Sequence, residues 1–144
     1  MKQLDLRRHA SRDPNADRLS PDGRAHAETV GRTLPADYAR VFVSPAERTA
    51  ETVAWFLRGS GQKLPPHAVI EGLAGKSDEV AKVVGGLFDR FPDGARALAV
   101  GHTPLIEDAV AGLTGVSIQQ LAECEGVRLT LNDDETYSLE ELRL

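Results

Sequence analysis

The chain has 144 residues, with 41% hydrophobic and 27% charged side chains, the proportions of one soluble globular domain. A net charge of −5 provides no global positive field for nucleic acid or an anionic membrane, so neither is expected as a partner. One cysteine, Cys124, excludes an internal disulfide framework and a cysteine zinc cluster. No apolar run approaches the ~20 residues of a membrane span, and Met1 to Arg8 does not read as a secretory signal. A cytoplasmic location is the expectation.

The elements alternate along the chain. Leu4 to Arg8 reads as a first strand. Pro21 to Leu34 reads as a helix with Ser20 as its N-cap and proline at the first helical position. Val41-Phe42-Val43 is short and apolar, as in a buried parallel strand. Ser44-Pro45-Ala46-Glu47 has the form of a capping box opening a second helix, which Gly59 or Gly61 ends. Ala68-Val69-Ile70 is a third strand, and Ser77-Asp78-Glu79 opens a third helix running to about Phe91. Ala97 to Val100 is a fourth strand, and Thr103-Pro104 starts a helix ending near Gly112 or Gly115. Val127 to Leu131, a turn at Asn132-Asp133-Asp134, and Thr136 to Leu142 form a terminal β-hairpin. This alternation predicts a single domain over residues 1–144, a three-layer α/β/α sandwich with a mostly parallel central sheet.

Ligands of open α/β sheets bind outside the carboxyl ends of the strands. Just past those ends stand Arg8-His9, then Ser44-Pro45 with Arg48 one turn on, and Gly101-His102-Thr103-Pro104. If the strands are neighbours, Arg8, His9, Arg48 and His102 converge beside helix N-termini. Arginine forks and helix amides match phosphate oxygens, so a phosphoryl group is the natural ligand. No serine or cysteine has the setting of an activated nucleophile. A neutral His9, its pKa depressed by the arginines, could attack phosphorus in line. The remaining histidines, His26 and His67, read as solvent-facing. Gly72 to Ser77 is spaced too tightly for a phosphate-binding P-loop.

Four segments resemble the histidine phosphatase, or phosphoglycerate mutase-like, superfamily. They are Leu4 to Ala10 ending in Arg8-His9-Ala10, Arg18 to Gly23, Ser44-Pro45-Ala46-Glu47-Arg48 with Thr52, and Gly101-His102-Thr103-Pro104. The resemblance implies that His9 is the phosphorylated nucleophile and that Arg8, Arg48 and His102 hold phosphate, without metal or other cofactor. The 54 positions from Arg48 to His102 are similar to the compact, SixA-type branch, whose substrate is phosphohistidine on a phosphotransfer protein. A small phosphate ester and a non-catalytic phosphate-binding role remain alternatives. Glu71 stands where many relatives place a general acid, but its surroundings do not match theirs. Arg18 reads equally as lining the pocket mouth or as a surface arginine. Ala10 replaces the usual glycine. Asp5 and Arg7 replace apolar residues of the first strand, and their spacing puts both on one face, where an ion pair is expected. Oligomeric state is not fixed by the sequence.

Overall fold

The computed structural model describes residues 1–144. Six strands form one sheet in the order β3-β2-β4-β1-β5-β6. They are β1 (Lys2–Arg8), β2 (Arg40–Val43), β3 (His67–Val69), β4 (Arg96–Gly101), β5 (Gly126–Leu131) and β6 (Tyr137–Leu142). The pairings β1–β4, β2–β4 and β2–β3 are parallel, while β5 runs antiparallel to both β1 and β6. The hairpin of β5 and β6 therefore extends an otherwise parallel sheet.

The four helices are α1 (Pro21–Gly31), α2 (Glu47–Ser60), α3 (Val80–Leu87) and α4 (Leu105–Thr114). Helices α1 and α2 pack together on one face, with a core including Val41, Val43, Phe56, Leu98 and Val100. Helices α3 and α4 cover the other face over Leu4, Leu6, Phe42, Ala97 and Ala99. Strand side chains alternate between these layers, as a period of two requires.

Several boundaries differ from the sequence reading. Ser20 does cap α1, its hydroxyl accepting from the Gly23 amide at 3.0 Å, but that helix ends at Gly31. Helix α2 starts at Glu47 with Ala46, not Ser44, at the N-cap position; the Ser44 hydroxyl accepts from the Ala46 amide at 3.2 Å and sits against His102 Nε2. The helix ends at Gly61, whose φ of 77° suits a residue without a Cβ. Helix α3 starts only at Val80, and a 3-10 turn at Phe88–Arg90 follows it.

Asp5 and Arg7 share the face beneath α1 and α2, yet they do not pair. Asp5 is fully buried and takes two hydrogen bonds from Arg128, at 2.7 and 3.1 Å, with a third from the Tyr38 hydroxyl. Arg128 is directly opposite Asp5 in the antiparallel β1–β5 ladder. Directly opposed side chains are closer than positions two apart along a strand, which explains the choice of partner. Arg7 instead donates to the Cys124 carbonyl at 2.7 Å and lies over the Phe56 ring.

Candidate active site

Register brings the carboxyl ends of three strands level. Arg8 is opposite Gly101, and Val43 is opposite Val100. The chain leaves β1 toward α1 on one face and leaves β4 toward α4 on the other. The gap between β1 and β4 is therefore the switch point where an open α/β sheet holds its ligand. There lies a cleft of about 320 Å³ lined by Arg8, His9, Ala46, Arg48, Ala74, His102, Thr103 and Leu105. The four expected side chains converge.

Each is fixed by the backbone that delivers it. His9 follows β1, and its amide donates to the Gly101 carbonyl at 3.2 Å. The next amide, Ala10, donates to the Thr52 hydroxyl at 3.0 Å, and that hydroxyl donates to the Arg48 carbonyl one turn earlier in α2. Thr52 thus ties the turn carrying His9 to the turn carrying Arg48. Ser44 sits against His102 Nε2 at 2.7 Å and is itself steadied by Thr49. Arg8 donates to the Leu121 carbonyl at 2.8 Å, while its Nε is buried without a partner.

The hydrogen bonds assign both imidazole tautomers. His9 Nδ1 is 2.7 Å from the Ala10 carbonyl, which can only accept, so Nδ1 carries the proton. Nε2 then holds its lone pair and accepts from Arg48 Nε at 3.3 Å. In His102, Nδ1 accepts from Arg48 Nη2 at 3.3 Å and Nε2 donates to Ser44. The two rings meet edge-on with centroids 5.3 Å apart. Burial holds His9 below the usual histidine range, and the charges of Arg48 and Arg8 add to the effect, against the Ala10 carbonyl and Glu123. Burial, Arg48 and His9 bring His102 down to about 4. Both rings are neutral at pH 7.

No family model matches the sequence, and no curated protein matches it. Solved structures do resemble the chain in three dimensions. YhfR from Bacillus stearothermophilus gives a TM-score of 0.80 at 17% identity, covering 98% of this chain and 96% of that one. The protein histidine phosphatase SixA, in a complex with tungstate, gives 0.73 at 24% identity over 98% and 96%. Phosphoserine phosphatase from Entamoeba histolytica gives 0.77 at 16% identity over 100% and 98%. The chain has the histidine phosphatase fold.

Within that fold, Glu71 does not line the cleft. It is exposed at the start of a 3-10 turn, Glu71–Ala74, of which only Ala74 reaches the cleft wall. None of the eight residues lining the cleft is acidic, although Asp17 bonds Arg48 and Glu107 bonds Thr103 at its edge. Arg18 is also absent from it; it is exposed and bonded to Asp13 at 3.3 Å. His26 and His67 are exposed, as expected. The sequence reading missed Asp17, whose carboxylate accepts from the Glu47 and Arg48 amides at 2.9 and 3.2 Å. The first amides of α2 are therefore occupied by Asp17 rather than free for a ligand. No local signal marks this role, since Asp17 and α2 are joined only by folding. No group of three or more His, Cys, Asp or Glu side chains is arranged to hold a metal ion.

Proposed function

We propose that this protein is a phosphatase of the histidine phosphatase superfamily that works through a phosphoryl group carried on His9 Nε2. The observation that carries this reading is the lone pair of His9 Nε2, aimed into a cleft that also holds Arg8, Arg48 and His102. The Ala10 carbonyl locks the tautomer that leaves this nitrogen nucleophilic. As the new N–P bond forms, the bond from phosphorus to the leaving atom breaks in line with it. The guanidinium of Arg48 exchanges its long contacts to the two imidazoles for phosphate oxygens, and Arg8 takes a further oxygen. A dianionic phosphoryl group favours protonation of His102, which then donates to it. Water next attacks phosphorus, the N–P bond breaks, and orthophosphate leaves with His9 restored to its neutral form. None of these steps calls on a metal or another cofactor.

The favoured substrate is phosphohistidine on a protein. An imidazole leaves readily once protonated from solvent, so a cleft lined by no carboxylate suits a phosphoramidate better than an ester. The likeness to SixA, a protein histidine phosphatase, agrees with this choice. The likeness to phosphoserine phosphatase supports a small phosphate ester as the second reading.

The test is turnover of a phosphohistidine-bearing phosphotransfer protein against a panel of small phosphate esters, with EDTA present. Wild type should release phosphate and accumulate acid-labile phosphate on His9. His9→Ala should do neither while keeping its fold by circular dichroism. Preference for an ester would move the assignment to a small-molecule phosphatase. Phosphate binding without any phosphoenzyme would leave a binding protein.

A further inference from the structure

Arg48 is gripped from outside the cleft by a single carboxylate. Asp17 belongs to the segment between β1 and α1, 31 positions before Arg48. Its Oδ1 accepts from Arg48 Nη1 at 2.9 Å and from the Arg48 amide at 3.2 Å. Its Oδ2 accepts from the Glu47 amide at 2.9 Å. The same group thus holds the backbone and the side-chain tip of one arginine. Arg48 has no other carboxylate partner. With Nη1 taken, Nε and Nη2 are the nitrogens that face His9 and His102. A free arginine side chain samples many rotamers, and this grip narrows them before any ligand arrives.

We propose that Asp17 is a positioning residue, fixing the Arg48 guanidinium so that its Nε and Nη2 edge meets the reacting phosphoryl group. The inference rests on the phosphoryl reading of the cleft. Asp17 itself stays off the phosphate. Its charge opposes an incoming anion, and its hold on Arg48 favours one. Asp17→Asn separates the two effects, because its amide oxygen can still accept from Arg48 at the Oδ1 position while the charge, and the acceptor for the Glu47 amide, are gone. Asp17→Ala removes both.

Calorimetric binding of orthophosphate and of vanadate is the first readout, with Arg48→Ala as a second background. Asp17→Ala should weaken binding roughly 10-fold, as for one lost charge-assisted hydrogen bond, and Asp17→Asn should recover most of the loss. In the Arg48→Ala background, Asp17→Ala should cause no further loss. Equal losses in both backgrounds would reduce Asp17 to a cap for α2 and overturn the proposal. Thermal melts followed by circular dichroism identify any variant that fails to fold; an unfolded Asp17→Ala passes the decision to Asp17→Ser, which can still cap but carries no charge.

The acid limb of kcat/KM gives an independent direction. The charged and titratable groups around His9 are Arg8, Arg48 and His102, with Glu123 acting from farther off and Asp17 beyond Arg48. If Asp17 acted only through space, its removal would move that limb to lower pH. Release of Arg48 from His9 Nε2 moves it to higher pH, which is the expected result, and a downward shift would overturn the proposal. A protein that binds phosphate but hydrolyses nothing would refute the proposed activity while leaving the binding arms for Asp17 fully decisive.

Discussion

His102 shows how much of the site's chemistry lies in a single side chain. In the unfolded chain its imidazole protonates near 6.5, but in the folded protein only near 4. Between those values the unfolded state holds a proton that the native state lacks. The stability tied to neutral His102 is complete above about pH 6.5, is lost as the pH falls toward 4, and declines no further below that. The ring is partly exposed, so solvent screening reduces the effect to about 1–2 kcal/mol. His9 shifts in the same direction and adds to the loss. Urea midpoints at pH 7 and pH 5 check this: wild type should lose more stability than His102→Asn over that interval. An identical response in both proteins would refute it.

At the scale of elements, the α1–α2 pair rests on two glycines. A Cβ on Gly31 would stand 2.3 Å from the Phe56 carbonyl oxygen, and one on Gly59 would stand 2.2 Å from that of Glu28. Each glycine lets the backbone of the opposite helix come close, and the helix carrying Arg48 and Thr52 is seated by that approach. Gly31→Ala or Gly59→Ala should destabilise the protein by about 2–4 kcal/mol, since rigid backbone must move. Gly86 in α3 is exposed with nothing within 4 Å of its would-be Cβ, so Gly86→Ala should instead stabilise by about 0.5–1 kcal/mol. Thermal melts of the three variants test both signs. These elements also show what the sequence made legible. Short, mostly apolar runs and turn residues placed all six strands to within one or two residues, and strand ends placed Arg8, His9, Arg48 and His102. The start of α2 was misplaced because Ser44 has the local form of a cap, while its hydroxyl serves His102. The pairing of Asp5 with Arg128 was hidden because 123 positions separate them. Asp17 was hidden for the same reason: a partner chosen by tertiary packing leaves no periodicity.

Across the whole molecule, one sheet serves two cores. Leu98 and Val100 face α1 and α2, while Ala97 and Ala99 on the same strand face α3 and α4. Neither core persists without that strand, so the halves should unfold together. Trp55 on α2 reports on one face, and far-UV circular dichroism reports on all the helices. Their urea curves should coincide, and separated midpoints would show two independent units. No helix is long and apolar enough to cross a membrane.

The contact between Arg48 and His9 has one more consequence. The lone pair of His9 Nε2 that would attack phosphorus is engaged by the Arg48 Nε–H, with 3.3 Å between the two nitrogens. An electrophile without anionic oxygens offers Arg48 nothing in exchange and meets a shielded nitrogen. A phosphoryl group brings the oxygens that draw the guanidinium away. On the proposed reading, the contact that shields His9 is given up only to a ligand that brings anionic oxygens.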